Sequence, residues 1–131
     1  MENETNQNPD EAKTIMIVED DDTIRKILVI ECKRKGFDVL EYRDAASAMT
    51  GIDRNKPRID AAVVDLMNLG YGGNLGEYLR KYQEYTETKV IYYSALTEKQ
   101  FNRNILDVPK TYYVHKIPGS IKKVMEILET I

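Results

Sequence analysis

Five side chains that could do chemistry stand at or just past the ends of short apolar runs: Glu19, Asp20, Asp65, Ser94 and Lys116. Where such runs are neighbouring parallel strands, their carboxyl ends meet at one edge of a sheet, and ligands bind at that edge. Three carboxylates meeting there would repel one another by about 4 kcal/mol per pair at about 4 Å, with an effective dielectric of about 20. A cation among them would remove this repulsion, so the pattern predicts a metal site.

The residue types at these positions favour Mg²⁺ as that metal. The chain has one cysteine and one histidine, which argues against a zinc site of the usual Cys/His kind. Carboxylate oxygens suit Mg²⁺, which keeps several waters and takes one or two carboxylates together with phosphate oxygens. The site is therefore expected to receive a phosphoryl group.

These side chains would support phosphoryl transfer to a carboxylate. With a metal and a lysine supplying positive charge, Asp65 can attack phosphorus and form an acyl phosphate. Ser94 could donate to an oxygen that is present only after phosphorylation, whereas Lys116 neutralises charge in both states. This difference between the two states predicts a switch.

Positioning these side chains requires a parallel sheet, and the hydrophobic pattern predicts one. Continuous apolar runs, typical of buried strands, occur at 15–18, 37–42, 59–64, 90–93 and 111–114. Between them, a spacing of about 3.6 residues predicts helices from an Asp21 or Asp22 cap to Gly36, at 45–52, 75–82 and 97–105, and from a Ser120 cap to Ile131. Five β-α units with right-handed crossovers predict a doubly wound α/β fold with helices on both sheet faces.

Composition bounds the class of protein. The 131 residues, 42% hydrophobic and 31% charged, suit one globular domain. A net charge of -3 gives no reason to expect direct binding to nucleic acid or to a membrane. Residues 1–12 are polar and predict a disordered tail before a domain at 13–131. The apolar runs are too short for a membrane span or a signal sequence, so we expect a cytoplasmic protein.

Over roughly 13–131 the chain resembles the receiver domain of two-component response regulators, the chemotaxis receiver among them. The motifs that carry this resemblance are the acidic pair Glu19-Asp20 after the first strand, Asp65, Ser94 followed by Ala95, and Lys116 after the last strand. The resemblance implies that Asp20 is a direct metal ligand and that Glu19 holds metal-bound water. It also implies that Asp65 is the phosphoacceptor, with Ser94 and Lys116 as its catalytic partners.

The resemblance adds two residues that the chemistry alone does not single out. Met67 would give its backbone carbonyl to the metal, and Tyr113, three residues before the lysine, would be an aromatic switch alongside Ser94. It also implies a flavodoxin-like order of the five parallel strands, 2-1-3-4-5.

The function implied by the resemblance is a phosphoacceptor signalling switch in a phosphorelay. A sensor histidine kinase or a phosphotransfer protein would supply the phosphoryl group with Mg²⁺ as cofactor, and a changed protein-binding face would act on a downstream protein target. Such a domain is not an enzyme with a separate substrate, because it catalyses only its own phosphoryl transfer and autodephosphorylation. A homodimer through the last helix and last strands is a further expectation.

Two loops depart from the family pattern. The family commonly has Met-Pro shortly after the acceptor, where this chain has Leu66-Met67-Asn68, and it usually has Lys-Pro where this chain has Lys116-Ile117. The family's Lys-Pro bond is normally cis, and a non-proline cis bond costs about 2.5 to 4 kcal/mol, so we expect altered geometry around the lysine.

These departures leave other functions open. The strongest alternative is a divergent receiver that acts as a phosphorylation-independent protein-interaction module. A phosphatase of the haloacid dehalogenase type would need a second aspartate where this chain has Met67. A flavodoxin-like electron carrier is disfavoured because carboxylates after the first strand would repel a flavin phosphate.

Overall fold

The computed structural model describes residues 11–65, 71–97 and 109–131, apart from the side chains of 71–74. The strands are β1 (Thr14–Val18), β2 (Asp38–Tyr42), β3 (Ala61–Val64), β4 (Lys89–Ser94) and β5 (Thr111–His115). The helices are α1 (Asp22–Arg34), α2 (Ala45–Asn55), α3 (Tyr71–Arg80) and α4 (Ile121–Leu128), with a 3-10 turn at Gln83–Tyr85. The predicted helix at 97–105 lies outside the described residues except for Thr97, as does the predicted tail except for its last two residues.

The strands form one parallel sheet in the order β2-β1-β3-β4-β5. This arrangement confirms the predicted doubly wound, flavodoxin-like fold. Each pair of neighbours is joined in parallel register, so the carboxyl ends of all five strands lie at the same edge.

The core lies on both faces of this sheet. Along β1, Met16 and Val18 belong to a buried cluster with side chains of α2 and α3, and Ile15 and Ile17 belong to another with side chains of α1 and α4. All four are at most 3% exposed. A strand covered on both faces requires an apolar residue at every position, which explains why the run is continuous.

Helix α1 begins as its sequence predicts. The Asp21 side chain accepts a hydrogen bond of 2.9 Å from the backbone N–H of Ile24, which satisfies one of the unpaired donors of the first turn. Beyond the last turn, Gly36 has a φ of 89°, a left-handed conformation that suits glycine and stops the helix. The cap at the start of α1 therefore fixes Asp21, the residue that directly follows the acidic pair.

Ser120 occupies the N-cap position of α4, as predicted, but its side chain does not cap the helix. Its hydroxyl makes no hydrogen bond to the first turn of the helix. Instead it accepts the N–H of Ile117 at 3.1 Å and lies 2.8 Å from the Tyr93 hydroxyl. Because Ser120 is buried next to Tyr93, its hydroxyl stabilises the loop after β5 instead of the helix end.

Among the described residues, no helix has the length and apolar character needed to cross a membrane.

The interior glycine of α3 gives a test of the packing between this helix and β4. A Cβ at Gly76 would collide with the hydroxyl of Tyr92, whose side chain is only 1% exposed. Gly76→Ala is expected to lower the free energy of unfolding by about 1 to 2 kcal/mol, because overpacking outweighs the gain in helix propensity. Urea denaturation measures this change.

The matched control is Gly51→Ala in α2, where the added Cβ meets the Tyr42 hydroxyl. Tyr42 is only half-buried, so its ring should shift at a lower cost than that of Tyr92, and this variant should lose less stability than Gly76→Ala. Adding Tyr92→Phe to Gly76→Ala should recover part of the loss. A Gly76→Ala protein as stable as the original would contradict this packing.

Candidate functional site

Backbone hydrogen bonds between strands fix the residues that carry the predicted chemistry. The N–H of Glu19 donates to the last carbonyl of β2 at 3.1 Å, and the N–H of Asp65 donates to the last carbonyl of β1 at 2.9 Å. The N–H of Lys116 donates to the Ser94 carbonyl at 2.7 Å. Each residue thus extends its strand by one hydrogen bond, and their side chains leave the sheet at the same edge.

The three carboxylates predicted to bind metal do lie together. Glu19, Asp20 and Asp65 each offer one oxygen atom, and these oxygens all lie within 4.8 Å of one another. Glu19 and Asp65 are buried, whereas Asp20 is exposed. An all-oxygen cluster of this size fits a hard divalent cation such as Mg²⁺, with the exposed side left for water.

The Lys116 side chain reaches into this cluster. Its Nζ lies 2.8 Å from Oε1 of Glu19 and 3.4 Å from Oδ1 of Asp65. The same Nζ lies over the Tyr93 ring, 5.4 Å from the ring centre. The lysine therefore touches both the proposed acceptor and the carboxylate beside it.

The loop after Lys116 has the geometry expected from its missing Lys-Pro pair. The peptide bonds of the described residues are all trans, and the N–H of Ile117 donates to the His115 carbonyl at 3.0 Å. This changed loop does not pull the ammonium away from Asp65. The Ser120 hydroxyl, which accepts the Ile117 N–H, helps to hold this loop.

Burial controls the charge of the cluster. It raises the pKa of Glu19 to about 7; the hydrogen bond from Lys116 opposes this rise, and the neighbouring Asp65 adds to it. Burial lowers the pKa of Lys116, but the hydrogen bond and the attraction to Glu19, together with Asp65, outweigh burial and raise it. Lys116 therefore stays charged at neutral pH, and its single positive charge faces three carboxylates.

Ser94 and Tyr113, the predicted switch residues, meet at the loop after β4. The buried Ser94 hydroxyl accepts the N–H of Leu96 at 3.1 Å. The Tyr113 hydroxyl donates to the carbonyl of the same Leu96. Both switch side chains therefore hold one residue of this loop from different sides.

The single histidine of the chain, His115, packs beside these residues. The His115 ring stacks on Tyr113 with an interplanar angle of 18° and a centroid distance of 6.5 Å. Its Nε2 lies 3.2 Å from the Ala95 carbonyl. These contacts hold the ring against the loop after β4.

Two further residues bear on the site, one that the sequence predicts and one that it does not. Met67, predicted to offer a carbonyl to the metal, lies outside the described residues. Sequence reasoning missed Arg25, whose guanidinium Nη1 donates to the backbone carbonyl of Glu19 at 2.9 Å. The signal that was available is an arginine one turn into α1, three residues after Asp22, at a spacing where the two side chains meet.

Comparison with known proteins agrees with this architecture. A family model described as the response regulator receiver domain matches residues 15–129. No curated protein matches this chain.

Solved structures resemble this chain closely in fold. A response regulator from Thermotoga maritima is 24% identical with a TM-score of 0.74, and the match covers 92% of this chain and 97% of that one. The chemotaxis protein CheY4 of Vibrio cholerae is 19% identical with a TM-score of 0.78, over 92% and 99% of the two chains. The response regulator TrrA of Thermotoga maritima, solved in complex with Mg(2+)-BeF, is 19% identical with a TM-score of 0.71, over 91% and 99%.

At these identities the structures establish the fold, and the family match establishes the membership. The family match spans nearly the whole chain, including the carboxyl ends of all five strands. The chain belongs to the response regulator receiver domain family.

Proposed function

We propose that this chain is a phosphoacceptor signalling switch that takes a phosphoryl group on Asp65 and changes its protein-binding face in response. The observation that carries the proposal is the Lys116 ammonium, which lies 2.8 Å from Glu19 and 3.4 Å from Asp65. Receiver domains are generally signalling domains and not enzymes. The proposed chemistry is accordingly confined to the chain's own phosphorylation and dephosphorylation.

Mg²⁺ is the proposed cofactor. Receiver domains bind Mg²⁺ at an acidic pocket, and this chain has such a cluster. We assign Asp20 and Asp65 as ligands and Glu19 as the acceptor of a metal-bound water, with the Met67 carbonyl as a further proposed ligand. When bound, Mg²⁺ would neutralise negative charge on the carboxylates and on the phosphoryl oxygens. The response regulator TrrA, which has the same fold, was solved in complex with Mg(2+)-BeF, and this supports Mg²⁺ as the cofactor.

In the transfer step, an oxygen of the Asp65 carboxylate forms a bond to phosphorus. The bond between phosphorus and the donor's imidazole nitrogen breaks, and its electron pair stays on that nitrogen. Lys116 binds an oxygen of the phosphoryl group as that negatively charged group moves onto Asp65. A histidine kinase or phosphotransfer protein in the cytoplasm is the proposed donor, acting on a domain that we place at 13–131 with a tail at 1–12.

The proposed response begins at Ser94. When its hydroxyl turns to donate to a phosphoryl oxygen, the N–H of Leu96 loses its acceptor. The Leu96 carbonyl is held by Tyr113, so the loop after β4 and this ring move together. The phosphoryl group shifts the population only by the contacts that differ between the two states. The face that changes includes β5 and α4, where a downstream protein or a second copy of the chain would bind.

Ser94→Ala separates phosphorylation from response. The variant keeps Asp65 and Lys116, so it should accept phosphate, but it lacks the hydroxyl that transmits the change. Beryllofluoride with Mg²⁺ should move the amide signals of Leu96 and Tyr113 by less than about half of the change in the original protein. Two-dimensional NMR measures these shifts.

The control is Thr88→Val, which removes a buried hydroxyl just before the opposite end of β4, where it donates to the Ile59 carbonyl at 2.6 Å. This variant should respond to beryllofluoride like the original. Shifts in Ser94→Ala as large as in the original would exclude the proposed coupling.

The phosphorylation-independent interaction module is separated from the proposed switch by a simple labelling experiment. Acetyl phosphate with Mg²⁺ should add one phosphoryl group, detected by intact mass and lost in base. The interaction module predicts no such label. The position of Lys116 beside Asp65 favours the switch over this alternative.

A further inference from the structure

Arg25 joins three elements around the acidic pair. Its Nη1 donates to the Glu19 carbonyl at 2.9 Å, and its Nη2 donates to Oδ1 of Asp22 in the first turn of α1 at 2.7 Å. Its Nε donates to Oε2 of Glu41 in β2 at 3.3 Å. The Arg25 side chain is only 14% exposed, and its hydrogen bond to the Glu19 carbonyl is partly buried, whereas the carboxylates of Asp22 and Glu41 face solvent.

The contact with the Glu19 carbonyl fixes the backbone that leads to Asp20. That carbonyl lies in the planar peptide unit joining the two residues, so its direction sets the plane from which Asp20 departs. On the other side, the Glu19 N–H is held by β2. The Asp20 side chain is exposed, so its direction depends on this backbone more than on packing.

We propose that Arg25 is a positioning residue for the acidic pair: its guanidinium holds the peptide between Glu19 and Asp20 so that both carboxylates face Asp65. The inference rests on the proposed Mg²⁺ site. Arg25 acts through the backbone of Glu19 and is not itself assigned a contact with the metal or the phosphoryl group.

The direction in which the affinity for Mg²⁺ changes distinguishes a positioning role of Arg25 from a purely electrostatic one. As a cation close to the site, Arg25 repels Mg²⁺, so a purely electrostatic role predicts tighter Mg²⁺ binding when its charge is removed. A positioning role predicts weaker binding. Lysine keeps the charge but replaces the planar fork by a single flexible ammonium, so Arg25→Lys tests geometry at constant charge.

The experiment compares Arg25→Gln, Arg25→Lys and a matched control, Arg34→Gln. Arg34 lies on the same helix and pairs with Glu31 at the same spacing, with a distance of 3.0 Å, but it is 69% exposed and distant from the acidic pair. Mg²⁺ titrations followed by amide NMR shifts should show dissociation constants raised about tenfold in both Arg25 variants. Arg34→Gln should bind like the original.

A readout without metal tests the same idea. The N–H of Asp21 donates to Oε2 of Glu19 at 3.1 Å, so loosening this loop should speed hydrogen exchange at Asp21 in the apo Arg25→Lys protein. Exchange within β3 should stay as in the original, which excludes general unfolding.

The outcomes distinguish the inference from the function on which it rests. If the original protein does not bind Mg²⁺, the proposed metal site fails, and the exchange at Asp21 still decides whether Arg25 positions the loop. If the original binds and Arg25→Lys binds equally well, or Arg25→Gln binds more tightly, Arg25 has no positioning role.

Discussion

Asp65→Asn is expected to abolish phosphorylation of this protein by acetyl phosphate in the presence of Mg²⁺. The amide has nearly the same shape as the carboxylate but cannot attack phosphorus. The substitution also removes one negative charge from a cluster in which burial and the neighbouring Asp65 raise the pKa of Glu19, so the fold should survive it. Intact-mass spectrometry after incubation with the donor measures the loss.

Asp60→Asn is the matched control for this experiment. Asp60 lies just before β3, at the opposite end of the strand, and accepts hydrogen bonds from the Thr14 N–H at 2.7 Å and from Arg58 at 2.9 Å. It should be labelled like the original. An acid-stable label that persists in Asp65→Asn would place phosphorylation on a serine, threonine or tyrosine instead.

Asp20→Ala is expected to abolish Mg²⁺ binding within the range of a titration. Asp20 is the exposed member of the acidic cluster, so its removal should leave the core and the apo NMR spectrum largely unchanged. A ligand that binds only the folded state stabilises it by about 2.7 kcal/mol at a concentration of about 100 times the dissociation constant. Thermal unfolding of the original should therefore shift upward with Mg²⁺, and that of Asp20→Ala should not.

Asp38→Ala controls for the loss of an exposed aspartate. Asp38 pairs with Thr14 at the amino-terminal ends of β1 and β2, on the other edge of the sheet. Its variant should keep the Mg²⁺-dependent shift. An unchanged Mg²⁺ response in Asp20→Ala would remove this residue from the metal site.

The parts of the fold that the sequence predicts are those encoded by local patterns. The continuous apolar run of β1 and the cap at Asp21 depend on neighbouring residues, and both are confirmed. The last turn of α2 also has contacts with residues that are distant in the sequence. The helix continues past the predicted end at Ile52, and Asp53 accepts hydrogen bonds from the hydroxyls of Tyr78 and Tyr82. A local sequence pattern cannot predict a contact between residues that are so far apart in the chain.

The candidate site likewise has features that local sequence patterns predict and features that they do not. Strand ends predict which polar residues share an edge, and Glu19, Asp65 and Lys116 do lie together there. Their roles in phosphorylation stay predictions. The distances could not be predicted, because Lys116 and Glu19 are 97 positions apart and the loop that joins β5 to α4 departs from the family pattern. The hydroxyl of Ser120 that stabilises this loop is equally a product of tertiary packing.

The most direct test of the proposed switch is an NMR titration of the apo protein, first with Mg²⁺ and then with beryllofluoride. We expect Mg²⁺ to shift the amide signals of Glu19, Asp20 and Asp65, and beryllofluoride then to shift those of Ser94 and Tyr113 in a saturable manner. Asp65→Asn should not respond to beryllofluoride. A protein whose spectrum is unchanged by beryllofluoride in saturating Mg²⁺ would contradict the phosphoacceptor switch and support an interaction module that works without phosphorylation.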